Sequence, residues 1–283
     1  MREDARRRVE AAAGKAVIRT APLSGGCVGD VFRIDLADGE RLVAKIADAG
    51  GTLALEGFML GVLKNAGLPV PDVVLADDDL LLMTWIDGGG AIDDRAQIHA
   101  ADLLVALHGH TRADFGFERA TLIGGLDQPN PATASWRDFF RDRRLLYMAG
   151  EARRVGNLPA RVMARVEALA ARIERWIGEP PAPSLIHGDM WGGNVLAKDG
   201  RIAGFVDPAI YYADAEIELA FATLFSTFGD SFFRRYAEHR PIRPGFFEER
   251  RDLLNLYPLL VHVRLFGGSY VRSVERTLAK FGC

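Results

Sequence analysis

One short stretch limits the folds open to this chain more than any other: Leu185-Ile186-His187-Gly188-Asp189-Met190-Trp191-Gly192-Gly193-Asn194-Val195. An apolar lead-in runs into a turn that holds an Asp and an Asn at a fixed separation. The spacing is that of the phosphoryl-transfer loop H-R-D-x-x-x-x-N, in which the Asp accepts an alcohol proton and the Asn binds a metal. His187, Asp189 and Asn194 fill the fixed positions, and Gly188 replaces the Arg. The next apolar run, Arg201-Ile202-Ala203-Gly204-Phe205-Val206, ends in Asp207, the place of a second metal carboxylate, although Pro208-Ala209 follows it. Asp, Asn and Gly also favour plain polar turns. The joint spacing, with an acid closing the next strand, favours magnesium and an oriented alcohol, because both need oxygen ligands on rigid backbone.

The rest of the chain sets the frame. Its 283 residues suit one large domain or two lobes, and 49% hydrophobic with 26% charged residues is a globular balance. A formal charge of −3 speaks against a nucleic-acid partner, which would need a basic face. The basic clusters Arg6-Arg7-Arg8 and 137–144 read as solvated helix faces. Residues 1–10 are charged and lack the apolar core of a secretory signal, and no apolar run approaches the roughly 18 residues of a membrane span. No membrane partner and a cytoplasmic location are the expectations. With only Cys27 and Cys283, neither a disulfide framework nor a cysteine metal site is expected. His108-Gly109-His110 reads as a helix terminus.

The periodicity divides the chain unevenly. Residues 2–13 read as a charged helix, and strands follow at Val17-Ile18, Val31 to Leu36 and Arg41 to Ile46, the last two joined by an Asp38-Gly39 turn. A helix over 52–65 stops at Gly67 and Pro69, and two more strands lie near 73–75 and 80–85. After the Gly88-Gly89-Gly90 tract, which suits a flexible hinge, helices are expected near 93–109, 135–148, 159–177, 214–228, 230–239, 246–256 and 258–281. Pro258 is expected to kink or divide the last pair. The expectation is an α+β fold of two lobes: a small β-rich N-lobe, 1–86, that binds nucleotide, and a larger, mostly helical C-lobe, 87–283, that carries catalysis and the acceptor.

A nucleotide would find partners in the first lobe. In Leu23-Ser24-Gly25-Gly26-Cys27-Val28-Gly29-Asp30, residues Gly25, Gly26, Cys27 and Gly29 would let backbone N–H groups approach phosphate, although a simple glycine-rich hairpin fits the same residues. Lys45, in Val43-Ala44-Lys45-Ile46, resembles the V-A-I-K strand whose Lys contacts phosphates. Glu56, on the following helix, is the carboxylate placed to hold it. The segment Met83-Thr84-Trp85-Ile86 is the expected lobe connection whose backbone meets adenine. Cys27, in a loop around a polyanion, is a candidate for oxidation and for a redox-linked dimer, or else an ordinary small residue in a tight loop.

These residues together resemble the fructosamine kinase (ketosamine-3-kinase) family, within the aminoglycoside phosphotransferase and choline kinase group of protein-kinase-like bilobal folds. The resemblance runs over nearly the whole chain. It includes the Gly25-Gly26-Cys27 loop, the Lys45 strand, Phe115-Gly116-Phe117, Trp136-Arg137-Asp138-Phe139-Phe140 and the 187–194 loop with its Trp191. It continues through Asp207-Pro208-Ala209-Ile210-Tyr211-Tyr212 and the tail, Tyr257 to His262 with Leu265 to Tyr270. It implies ATP and Mg2+, with Asp189 as catalytic base, Asn194 and Asp207 as metal ligands, and Lys45 with Glu56 ordering the phosphates. It also implies phosphorylation of the sugar 3-hydroxyl of a ketosamine, small or protein-bound, whose labile product releases the amine, a repair of glycation. Trp191, Tyr211, Tyr212, His262 and Phe266 are the candidates for the acceptor pocket, since aromatic rings suit sugar CH faces and an amine cation. Gly192 and Arg264 depart from the family's usual residues, and Arg264 leaves the acceptor open. A kinase of another hydroxylated amine, such as an aminoglycoside or aminoalcohol, is the alternative within this chemistry. An inactive nucleotide-binding regulator is the alternative outside it, against which the intact Lys45, Asp189, Asn194 and Asp207 set weighs.

Overall fold

The computed structural model describes residues 1–23, 29–48 and 50–283. Helix α1 (Glu3–Ala13) precedes strands β1 (Val17–Pro22), β2 (Asp30–Leu36) and β3 (Arg41–Ile46). Helix α2 (Leu53–Asn65) and strands β4 (Val73–Ala76) and β5 (Leu80–Thr84) complete an antiparallel sheet of order β1-β2-β3-β5-β4. The run Leu80-Leu81-Leu82-Met83 is apolar without alternation because β5 is covered on both faces. Leu80 and Leu82 pack with Val9 of α1, whereas Leu81 and Met83 pack with Leu53 and Leu60 of α2. Arg8 of α1 ties the helix down through Asp77 and Asp79, at 2.7 and 2.8 Å.

The second part begins with α3 (Asp94–His108), capped by the Asp93 carboxylate on the Ala96 N–H. A short hairpin follows, β6 (Thr121–Ile123) and β7 (Leu126–Gln128), then α4 (Trp136–Phe139), a wide π-helical turn (Phe140–Leu146), α5 (Tyr147–Arg154) and α6 (Ala160–Ala170). Next come β8 (Ser184–Ile186), β9 (Val195–Lys198), β10 (Arg201–Phe205) and β11 (Tyr211–Ala213), with β9 paired to β10 and β8 to β11. Helices α7 (Glu216–Leu224), α8 (Asp230–His239), α9 (Arg251–Leu254), α10 (Leu256–Phe266) and α11 (Ser269–Lys280) close the chain. One large core runs through this part and takes in Met59 and Leu63 of α2, so α2 is packed from both sides.

The structure departs from the sequence reading in several places. The β6–β7 hairpin and β11 were not expected; three-residue strands carry too little pattern, although Gly124-Gly125 between apolar residues was a turn signal. Near Pro258 the chain does divide: α9 ends at Leu254 and α10 begins at Leu256, with Pro258 in the first turn of α10, where its missing N–H costs nothing; a further break, not expected, falls at Gly267-Gly268. The Gly88–Gly90 tract is held rather than loose: the Gly90 N–H donates to Ala197 O of β9 at 2.8 Å. Arg144, expected on a solvated face, is fully buried, because the π turn swings it inward over the Tyr211 ring, 3.8 Å from the centroid.

Candidate active site

The loop between β8 and β9 is built by backbone hydrogen bonds before any function is asked of it. His187 is fully buried and bridges the two motif strands. Its Nε2 lies 3.1 Å from Val206 O, and its Nδ1 accepts from the Asp189 N–H at 3.3 Å, so the proton sits on Nε2. Burial lowers its pKa and keeps the ring neutral, as that bonding requires. Gly188 explains the absent Arg: its φ is +87°, and a Cβ would lie 2.1 Å from Ala209 O.

Asp189 is partly buried at the mouth of this loop. The Asn194 side-chain N–H₂ donates both to the Asp189 carbonyl and to its carboxylate, each at 2.9 Å, which fixes the amide's orientation. The Asn194 side-chain oxygen then has no donor among the described residues, as a metal ligand would need. Burial pushes the Asp189 carboxyl up to about 7; the Asn194 hydrogen bond offsets part of this, and the neighbouring Asp207 charge adds to it. A carboxylate poised near neutrality suits a general base. Asp207 sits in the left-handed region at φ 56°, just past β10.

Lys45 comes from β3 and is almost wholly buried, with the Glu56 carboxylate of α2 at 2.6 Å and the Asp207 carboxylate also in contact. Burial alone would lower its pKa, but the two carboxylates more than offset this and hold it charged, above the usual lysine value. Lys45 thus links the sheet, α2 and the β10 turn at one point. Gly29 stands at the start of β2 with φ 73°, against the Ile46 backbone. Gly25, Gly26 and Cys27, and with Cys27 the redox-linked dimer, lie outside the described residues. In the lobe connection, the Thr84 and Trp85 N–H groups already donate to Asp72 O and Arg41 O. The Met83 side chain is buried in the α2 core, so it serves packing.

The expected acceptor residues separate into two groups. Trp191 is 43% exposed and meets Phe225 edge-on at 6.3 Å; Phe225 meets His262 at 5.1 Å; His262 meets Tyr270 at 4.7 Å and Phe266 at 5.8 Å. This continuous aromatic shelf runs from the catalytic loop onto α10 and α11. Tyr211 and Tyr212 are not part of it. Adjacent residues of a strand face opposite ways. Tyr211 is buried beneath Arg144 and Phe139, where no acceptor can touch it, and Tyr212 stacks on Phe117 at 6.0 Å with Arg112 over its other side. Tyr211 is therefore corrected to a core residue. Arg264 lies outside the shelf ring contacts, and its carbonyl accepts from Asn157.

The sequence reading missed four residues. Phe225 and Tyr270 complete the shelf. Glu218 and His108 form a buried chain beneath the loop: Glu218 Oε1 accepts the Gly188 N–H at 2.7 Å, its Oε2 pairs with His108 Nε2 at 2.7 Å, and His108 Nδ1 pairs with the Tyr236 hydroxyl at 2.7 Å. His108 is thus a buried link rather than a simple helix end. An acid inside the apolar run Ile217-Glu218-Leu219-Ala220-Phe221 was the signal available, since a buried carboxylate needs a partner.

A lysine–glutamate pair under a small antiparallel sheet, set opposite a helical part whose loop presents an Asp bonded to an Asn, is the arrangement of a phosphotransferase of kinase-like fold. Comparison with known proteins narrows the class: the profile of the fructosamine kinase family matches residues 1–281. The chain is 33% identical to a probable ketoamine kinase of Synechocystis sp. over 90% of this chain and 88% of that protein. It is 30% identical to the chloroplastic protein-ribulosamine 3-kinase of Arabidopsis thaliana over 92% and 82%. A crystal structure from Thermobifida fusca, of a candidate fructosamine-3-kinase, superposes with a TM-score of 0.86 at 31% identity, covering 97% of this chain and 98% of that one. The chain belongs to the fructosamine kinase family.

Proposed function

We propose that the chain transfers the γ-phosphoryl group of ATP to the sugar 3-hydroxyl of a ketosamine of the fructosamine or ribulosamine type. The observation that carries this reading is the Asp189 carboxylate, oriented by Asn194 and placed between the Lys45–Glu56–Asp207 cluster and the aromatic shelf. Asp189 takes the hydroxyl proton as the oxygen attacks the γ-phosphorus; the bond to the β-phosphate oxygen breaks, and ADP leaves with the transferred charge. Residues 1–86 serve as the nucleotide lobe and 87–283 as the catalytic and acceptor lobe.

The residues present fit a magnesium ion, which would neutralise phosphate charge. The side-chain oxygen of Asn194, which has no donor among the described residues, and the Asp207 carboxylate would hold it, two protein ligands being usual where phosphates and water supply the rest. Lys45 keeps Glu56 and turns from Asp207 to phosphate. With the Thr84 and Trp85 donors already used, the Ile86 backbone is the adenine contact. Repair of glycated amines follows from the chemistry of the 3-phosphate, which eliminates and frees the amine. Among the described residues no helix is long and apolar enough to cross a membrane, and ATP dependence suits the cytoplasm. A coupled ADP-release assay over ribulosamines, fructosamines, aminoglycosides and choline tests the reading. Turnover on ketosamines supports it; turnover on an aminoglycoside or choline with none on any ketosamine rejects it.

A further inference from the structure

The imidazole of His262 sits in the middle of the aromatic shelf, one ring beyond Phe225. Its Nδ1 lies 2.7 Å from the Pro258 carbonyl, four residues back on the same helix. A carbonyl oxygen only accepts, so Nδ1 carries the proton and Nε2 presents a bare lone pair. Nε2 has no hydrogen-bond partner among the described residues, and it is not among the buried polar atoms sealed from solvent. The ring is walled by Phe225, Phe266 and Tyr270 at 5.1, 5.8 and 4.7 Å. Among the described residues none of these neighbours is a carboxylate, and no carboxylate pairs with His262. Burial keeps the imidazole neutral, against the weaker opposing effect of the Pro258 carbonyl.

A lone pair inside a ring of π faces is a receptor for one ammonium group. The faces attract the cation and the imidazole accepts its N–H, whereas a polycation would need carboxylates to match its further charges. We infer that His262 is a specificity residue: its Nε2 accepts a hydrogen bond from the protonated secondary amine of the acceptor, with Phe225, Phe266 and Tyr270 as the cation's cage. The amine of a ketosamine is three bonds from the reacting carbon, so with the 3-hydroxyl at Asp189 it stays close to the loop in which Trp191 begins the shelf. This rests on the proposed ketosamine reaction and assigns its amine a binding partner.

The experiment compares a fructosyl-alkylamine with the matching fructosyl-alkyl ether, in which oxygen replaces nitrogen, on wild type, His262→Phe and His262→Gln. His262→Phe keeps a ring and deletes the acceptor, so kcat/KM for the amine should fall about 10- to 100-fold, mainly through KM, the cost of a charge-assisted hydrogen bond. The ether should fall less than about threefold, and His262→Gln, with an acceptor oxygen, should recover part of the amine preference. Equal losses on amine and ether, or an unchanged amine preference in His262→Phe, overturn the assignment. A wild type that phosphorylates neither compound, while active on another alcohol, rejects the ketosamine reading itself and this inference with it.

Discussion

The two sides of the proposed site are built on opposite principles. On the phosphate side, Lys45, Glu56, Asp207, Asp189 and Asn194 are buried or partly so, and direct side-chain bonds lock Lys45 to Glu56 and Asp207, and Asn194 to Asp189. On the acceptor side, Trp191, Phe225 and Phe266 are 43%, 37% and 57% exposed and are joined by ring contacts that run through His262. Charge chemistry needs fixed distances in a low dielectric, and carboxylates supply them at the cost of desolvation. Recognition of a sugar with a variable amine needs surface that accepts several shapes, which rings supply with little directional demand. Failure on the first side should therefore appear in kcat or in ATP binding, and failure on the second in the acceptor KM.

Asp189→Asn should give the largest effect, a loss of about 10²- to 10⁴-fold in kcat with ATP affinity largely retained, read by coupled assay and by calorimetry. Near-normal turnover would remove the base assignment and the contrast with it. In the wild type kcat/KM should rise with pH and level off above about 7, because the carboxyl that burial has raised must lose its proton before it can accept another. Glu218→Ala should come next, because it strands the Gly188 N–H and His108 in the core. A loss of about 3 kcal/mol in stability is expected, with a fall in kcat, measured by denaturant melts beside turnover. A stable Glu218→Ala of normal activity would show that the loop holds Asp189 without this support.

Asp207→Ala should weaken ATP binding about 10- to 100-fold when magnesium is present and much less when it is chelated, a split that calorimetry reads directly. Trp191→Ala tests the other side, with an acceptor KM raised about tenfold, worth about 1.4 kcal/mol, and an ATP KM nearly unchanged. A matching rise in the ATP KM would show that the two sides are not separable. The smallest expected effect is a gain. The native state holds the Asp189 proton more tightly than the unfolded chain does, so rising pH lowers stability between the usual carboxylate range and about 7 and leaves a constant penalty above it. Asn carries no such penalty, so inactive Asp189→Asn should melt a few degrees above wild type at pH 8, by scanning calorimetry.

The phosphate side was legible in the sequence to a degree the acceptor side was not. His187, Asp189, Asn194 and Asp207 lie within one short strand–turn–strand unit, and Lys45 and Glu56 are one strand and one helix apart, so local spacing carries their relation. The shelf is assembled from the catalytic loop, the end of α7, α10 and α11. Trp191, His262 and Phe266 could be named as aromatics, but nothing in their spacing brings Phe225 between Trp191 and His262. Tyr211 and Tyr212 looked equivalent as a pair, and the strand's two-residue alternation sent them to opposite faces.

What the sequence determined by itself was most of the order of strands and helices, the kinase-like class and the grouping of the residues proposed for phosphoryl transfer, because each depends on contacts among near neighbours in the chain. Only the tertiary structure decided that Gly188 must be glycine, that Glu218 and His108 support the loop, that Arg144 is buried, and that His262 turns a bare nitrogen toward the shelf. Each of these depends on atoms brought together from distant segments, and packing against them fixes which side chain is buried, which is bonded and which is left open.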